Sequence, residues 1–445
     1  MLSILVAFLL AAHPCQARVV THAHVSYKHY TTIQAAVNAS QPCDWVLIAP
    51  GVYPEKVVIT TDGLHLRGMN RNTVIVDGRH RVGNGIEVEK ASNVWIENLT
   101  VRNFDRATQD GEDGNEIWWN GGDESGQIGA HGWWGNYLTA YDTGLLGGYG
   151  LFVSNSVQGG FDHVYASGFN DSGLYIGACP DCQAYVRHAL LERNALGFSG
   201  TNAGGHLVIE DSVFRDNAVG ISPNTLPNDQ PPPQLGTCDS ATNTSPTPTI
   251  ASTNVLRCTI IRRNLVEDNN LTTAPANSTA GSLAWGAGIE LVATYGDLIY
   301  KNTVKGNRNF GIVGFENPQP FPPTADTQYF QFAGNRIDSN VVSGPSAYAD
   351  IAFEGGLFGQ KASVNNCFVG NVAKKTLPAD LGPWSCALDQ TPNADSVTSG
   401  GMLGYLLKLQ GENQNHVRKG QPAPKAQPTM PAPCKGVPRN PLCRS

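Results

Sequence analysis

An internal repeat constrains this chain more than any other feature. The pattern Asn-x-(apolar)-x-x-Asn recurs at Asn264/Val266/Asn269, Asn302/Val304/Asn307, Asn335/Ile337/Asn340 and Asn366/Phe368/Asn371. Degenerate copies stand at Ala189/Leu191/Asn194 and Ser212/Phe214/Asn217. A second pattern, Gly-(apolar)-x-(apolar), begins at Gly150, Gly173, Gly197 and Gly220, in steps of 23, 24 and 23 residues. Gly288 and Gly311 repeat the step of 23. A period of this length denotes a solenoid or propeller, with each repeat as one structural unit. Short β-rich segments at this period select a parallel β-helix, in which successive coils stack at the strand spacing of ~4.8 Å. Asn suits the role because it tolerates left-handed turns and can bond to its copy one coil away. Turn and ladder duty is therefore the expected role of these Asn residues. Leu191, Phe214, Val266 and Val304 are expected to face inward.

The repeats, with Ile33-Gln-Ala-Ala-Val and Val46-Leu-Ile-Ala-Pro-Gly-Val-Tyr, resemble the right-handed parallel β-helix superfamily that includes pectate lyases. The resemblance spans about residues 30–385. The stretch from Tyr165 to Cys182 is similar to secreted bacterial β-helix proteins without an established function. The expected fold is all-β: a single-domain right-handed parallel β-helix of nine to ten coils, with short capping helices and a Pro-rich tail. Residues 18–411 form the solenoid and its caps. The segment 31–39 reads as an amphipathic helix capping the first coil, with Ile33, Ala36 and Val37 inward. Leu403–Leu409 is expected to cap the other end. An enlarged coil spans 105–147. The step of 68 from Gly220 to Gly288 leaves room for an insertion near 224–254. A further loop is expected at 317–329.

Residues 1–17 read as a secretory signal peptide. They carry no Lys, Arg, Asp or Glu, and an apolar run of eleven precedes Cys15-Gln16-Ala17. That run is too short to span a bilayer, which takes ~20 residues. The nine remaining cysteines order into local pairs: Cys179 with Cys182, Cys238 with Cys258, Cys367 with Cys386, and Cys434 with Cys443. Cys43 is left alone, and spacing does not settle the connectivity. In an oxidising compartment disulfides are the default. Cys179-Pro-Asp-Cys182 follows a strand, so it reads as a structural bridge rather than a redox or metal site. The expected location is extracellular, with the periplasm or cell surface as variants. The protein is expected to be a monomer without a membrane span.

The net charge is −7, yet the tail from 412 holds six Lys and Arg beyond residue 417 and no acid there. The body is the acidic part, which excludes nucleic acid as a natural partner. A polyanionic polysaccharide would need a metal ion or a local basic strip to bind it.

Enzymes of the superfamily place their chemistry on one outer face, flanked by loops. The motif Asn93-Val-Trp-Ile-Glu-Asn98 resembles the pectate-lyase frame Trp-Ile-Asp-His, with Glu and Asn in place of Asp and His. Mannuronan epimerases carry Asp-Pro-His, where this chain has Asp162-His163-Val164. The paired aspartates and Gly-His-Gly of polygalacturonases do not occur.

The segment 105–147 is chemically the richest. Asp110, Glu112 and Asp113 are candidate ligands for calcium, which takes six to eight oxygens. Calcium is the candidate cofactor, and a solvated acidic loop is the plainer reading. Trp118, Trp119, Trp133 and Trp134 offer flat faces for sugar rings or packing against the solenoid. Counting seven residues back from coil-ending Asn residues aligns His163, Arg187, Glu210 and Arg262. Such a strip can bind a sugar carboxylate and abstract a proton; it can also be a plain ion ladder. Asp162 and His163 are expected to face opposite ways, as strand neighbours do. Asp171 and Tyr175 are placed on the strip's face, giving His163, Arg187, Glu210 and Asp171 as catalytic candidates and Tyr175 as a substrate contact.

The expected function is binding or processing of extracellular polysaccharide or cell-surface glycan, by lyase, epimerase or hydrolase chemistry. A non-catalytic carbohydrate-binding or surface solenoid is the rival. A periplasmic copper-site maturation factor is a third, disfavoured by the lack of Met/His clusters.

Overall fold

The computed structural model describes residues 19–22, 30–107, 114–122, 127–227, 258–272, 285–319, 324–354, 366–379, 381, 401–413 and 420–443. Within them the chain winds through three long parallel sheets of twelve, ten and eleven strands. They are named A, B and C in the order each coil visits them. Each strand bonds to its counterpart one coil on. Leu191 pairs with Phe214, Phe214 with Val266 and Val266 with Val304. All four side chains are fully buried, so the inward register matches the expectation. The architecture is a parallel β-helix.

Three ladders of polar side chains hold the turns between coils. In the B-to-C turn, each Asn accepts the backbone amide of its predecessor: Asn194 from Phe169, Asn217 from Asn194, Asn269 from Asn217 and Asn307 from Asn269. Ser212, Asn264, Asn302, Asn340 and Asn371 do the same in the A-to-B turn. Asp297, Asn335 and Asn366 form a third ladder ahead of sheet A. The left-handed conformation falls mainly on the residue before each ladder Asn. Arg193, Asp216, Asp268, Arg263 and Lys301 all have positive φ. Hydrogen bonding therefore explains most of the Asn recurrence, and only copies such as Asn98 and Asn103 take the left-handed turn themselves.

One coil breaks the counted register. Ala166 pairs with Leu191, so Phe169 stands opposite Asn194 and Asn170 lies one residue beyond. The partner of Arg187 is consequently Asp162, not His163.

Helix α1, Ile33–Asn38, is capped by Thr32 and buries Ile33, Ala36 and Val37. It contacts strands of the first coils, as expected of an end cap. Helix α2, Met402–Asn413, does something different. Met402, Leu406 and Leu409 pack with Val219, Ala287, Phe310 and Ala349 of sheet C, and the Trp285 indole donates to the Leu409 carbonyl at 2.9 Å. It clothes a flank of the late coils, where the sheet's outer row is apolar, rather than closing their end. No helix among the described residues is long and apolar enough to cross a membrane.

The tail runs extended back along the solenoid. Gln421 donates to the Asp142 carbonyl and Gln427 to Asn72; Thr429 and Met430 donate to Asn98. Arg67 binds the carbonyls of Pro433 and Lys435, and Cys443 packs on Trp45 and Leu47. The expected bridges Cys179–Cys182 and Cys434–Cys443 are present. Cys258 and Cys367 are disulfide-bonded, and so is Cys43, which the sequence order had left alone. Cys238 and Cys386 lie outside the described residues, as do residues 228–254 of the expected insertion 224–254 and Asp110, Glu112 and Asp113. The 317–329 loop begins and ends in a small antiparallel hairpin.

Candidate functional site

Sheet A turns three rows of side chains outward beside its buried row of Val46, Leu66, Ile96, Phe161, Val186 and Ile209. The first row is aromatic. Pairing places Trp45, His65, Trp95, Trp134, Gly160 and Tyr185 side by side on successive coils. The rings stack: Trp45 on His65 at 4.1 Å, His65 on Trp95 at 5.6 Å, and Trp95 on Trp134 at 4.2 Å. Gly160 is required here, because a Cβ would come within 2.5 Å of the Tyr185 ring. Trp45, His65, Trp95 and Trp134 also line a mainly apolar cavity of about 370 Å³, with Pro42 and Asn93 at its rim.

The second row is ionic: Arg67, Glu97, Asn136, Asp162, Arg187, Glu210 and Arg262. The third lies at the turn: Asn98, Tyr137, His163, His188, Asp211 and Arg263, each left-handed. That conformation breaks strand alternation. Asp162 and His163 therefore share a face, contrary to the expectation for strand neighbours.

The two rows converge on Asp162. Its Oδ2 accepts from Arg187 Nε at 2.8 Å, and its Oδ1 lies 2.8 Å from His188 Nδ1. His163 Nδ1 is 2.6 Å from the same Oδ1, though out of line for a hydrogen bond. The His163 ring lies between Tyr137 and His188, 4.6 Å from each. Arg187 also sits over the Tyr185 ring at 4.7 Å. The side chains of His163, Arg187 and His188 are 38%, 44% and 47% exposed, so all three are open to a ligand. Burial raises the Asp162 pKa, but the His188 hydrogen bond and the charge of Arg187 outweigh it and hold the carboxyl below its usual range. The same three residues, Asp162, His163 and His188, bring donor atoms within 4.8 Å of one another, close enough to hold a metal ion.

The structure separates the remaining expected site residues. Glu210 stands next to Arg187 in the row but is held by Arg262 and Arg263 at 2.7 and 2.8 Å. Asp171 lies in a B-to-C turn, bonded to Ser172. Tyr175 and Trp118 belong to the outer face of sheet C, where both pack on Phe152. Trp119 and Trp133 are core residues against Phe161. Tandem Trp pairs on a strand must point to opposite sides, so only Trp134 joins the aromatic row. The expected groove uniting the four Trp with Asp171 and Tyr175 is not formed.

Sequence reading missed Trp45, His65, Trp95, Tyr185 and His188. The aromatic row has steps of 20, 30, 39, 26 and 25 residues, which hides it from any fixed period. The usable signal was local: an aromatic residue directly before an inward apolar one, as in Trp45-Val46, His65-Leu66, Trp95-Ile96 and Tyr185-Val186.

No family model matches the sequence, and no curated protein does. Solved structures similar in fold include the A-module of Azotobacter vinelandii mannuronan C-5 epimerase AlgE6. It is 13% identical with a TM-score of 0.47, over 77% of this chain and 90% of that one. The AlgE4 A-module is 12% identical, with a TM-score of 0.45 over 76% and 90%. A mannuronic acid specific polysaccharide family 6 lyase from human gut microbiota is 15% identical, with a TM-score of 0.43 over 72% and 77%. At such identities the likeness concerns the fold alone.

Proposed function

We propose that the outer face of sheet A binds an acidic polysaccharide, and that the cluster around Asp162 performs proton transfer on it, of lyase or epimerase type. One observation carries the reading: a stacked aromatic row runs directly beside two imidazoles and an arginine that share one carboxylate. Flat rings favour sugar faces. From Asp162 to Lys301 the outer rows hold Arg187, Arg262, Arg263 and Lys301 against Asp162, Glu210 and Asp211. This local strip offsets the acidity of the body and gives a polyanion a place to dock.

The roles follow from donor inventory. Arg187 uses Nε on Asp162 and leaves its outer nitrogens to face a sugar carboxylate. Neutralising that carboxylate acidifies the adjacent C–H. An imidazole suits the task of base near neutral pH. With two imidazoles 4.6 Å apart, one removes the proton while the other, or Tyr137, returns one. Expulsion of the glycosidic oxygen gives a lyase product; reprotonation from the other face gives the epimer. A hydrolase would need one carboxyl kept protonated as acid. Asp162 and Glu210 are both tied to cations, which opposes that, so the reading narrows to elimination or epimerisation. The disulfides suit an oxidising, extracellular setting.

The test is a panel of uronate and neutral polysaccharides incubated with the purified full chain, with and without calcium. Ultraviolet absorbance follows unsaturated ends, and NMR follows sugar configuration. His188→Ala and His163→Ala should lower kcat far more than they raise KM, while Trp134→Ala should mainly raise KM. Binding without turnover would support the non-catalytic carbohydrate-binding reading. No binding of any uronate polymer would overturn the proposed reading, and no binding of any polysaccharide would overturn both.

A further inference from the structure

A second titratable cluster lies away from sheet A's face, where the B-to-C turns of three consecutive coils meet. The strand Val74–Val82 breaks register between Asp77 and Arg81. Arg79 and His80 there are both left-handed, and this bulge swings His80 outward. His80 Nδ1 comes to rest 3.2 Å from Asp105 Oδ1 and 3.7 Å from Asp142 Oδ1. Donor atoms of all three lie within 4.8 Å of one another. Asp142 is fully buried and preset: the amides of Gly144, Leu146 and Gly147 fix its two oxygens.

Glu116 is a further buried acid close by. It is completely buried. Its Oε1 accepts the amide of Phe104, next to Asp105, at 3.2 Å, and its Oε2 has no hydrogen-bond partner. Among the described residues no Lys or Arg forms an ion pair with Asp105, Asp142 or Glu116. Asp77, the other acid close by, has its own partner in Arg102 at 2.8 Å. Two buried carboxylates and one imidazole thus converge with no cationic partner among the described residues.

We propose that His80, Asp105 and Asp142 form a binding site for one divalent transition cation of the manganese or zinc class. The imidazole ligand sets the class, since calcium and magnesium take oxygen ligands while imidazole suits the first-row metals. The cation compensates the buried carboxylates and ties three successive coils together. This site is independent of the carbohydrate reading, because it shares no residue with the Asp162 cluster.

The test uses the full chain, stripped with chelator and dialysed, titrated calorimetrically with Mn²⁺, Zn²⁺ and Ca²⁺. One Mn²⁺ or Zn²⁺ per chain should bind with release of protons. His80→Ala and Asp105→Asn should each weaken binding at least ~10-fold, in line with the loss of a ligand, while His188→Ala should not. No stoichiometric binding would overturn the proposal. So would binding of calcium alone, or binding lost with His188→Ala and kept with His80→Ala. Should the variants misfold, pulsed electron paramagnetic resonance of Mn²⁺ bound to the unaltered chain decides: nitrogen coupling from one imidazole is expected, and its absence refutes the site.

Discussion

Replacing Asn269 by Ala puts the ladder itself to the test. The Asn269 amide makes four buried hydrogen bonds. Its nitrogen donates to the Phe214 carbonyl at 3.1 Å and to Asn307 Oδ1 at 3.2 Å. Its oxygen accepts from the Asn217 amide at 3.2 Å and from Asn217 Nδ2 at 2.9 Å. A buried hydrogen bond contributes ~1 kcal/mol net, and a partner left orphaned costs ~1–3 kcal/mol. Truncation strands the Asn217 amide and the Phe214 carbonyl inside the solenoid. The expected loss is therefore about 3–5 kcal/mol, comparable with the ~3–5 kcal/mol for Phe214→Ala in the adjacent core. Urea unfolding followed by circular dichroism gives the global figure. Hydrogen exchange at the Asn217 amide gives the local one. Asn269→Asp keeps the acceptor oxygen but loses the donor and buries a charge, so its cost should grow as pH rises. A loss under about 1 kcal/mol for Asn269→Ala, with the Asn217 amide still protected, would refute the claim that these bonds hold the coils together.

Gly160→Ala should push the Tyr185 ring off the aromatic row and weaken polysaccharide binding without unfolding the protein; unchanged binding by the folded variant would remove Tyr185 from the platform. Glu290→Gln addresses pH. Burial lifts the Glu290 pKa from 4.5 to about 7, only partly opposed by the Ser222 hydroxyl. A raised folded pKa means stability is full below the unfolded pKa and declines as pH climbs through about 7. The Gln variant should be about 3 kcal/mol more stable than the parent at pH ~8 and equal to it at pH ~4; a pH-independent difference in Tm would contradict this. Deleting residues 420–445 should lower Tm, and hydrogen exchange should rise first around Arg67, Arg71 and Trp45, where the tail is docked.

The fold was legible because its signal is periodic. Inward residues such as Leu191, Phe214 and Val266 recur with the Asn that closes their turn, and both answer to the same coil length. Most site residues were illegible for the opposite reason. An outward row needs no fixed spacing in sequence, only equal height on the sheet, and coils of unequal length put Trp45, Trp95 and Trp134 in line. The misplacement of His163 shows how one extra turn residue propagates. Asn170 passes for a ladder residue, yet Phe169 fills the ladder position, and the count slips by one. Trp119 and Trp133 were misjudged because composition locates a segment but not a face. His80 drew no notice, since only the bulge at Asp77–Arg81 turns it toward Asp105.

Each coil of a solenoid bonds mainly to its two neighbours, so such a molecule ordinarily unravels from an end, one coil at a time. The returning tail changes that rule. The bond from Arg67 to the Pro433 carbonyl joins residues 366 apart in sequence, whereas the bonds between stacked coils span about one coil. Peeling away the first coils must also detach the docked tail, so this end of the stack is fastened by a segment that follows the last coil in sequence. A ribosome makes this tail only after every coil it fastens. The early coils therefore stay unlatched throughout synthesis, and a protease that nicks the tail unlocks the molecule from the end farthest from the cut in sequence.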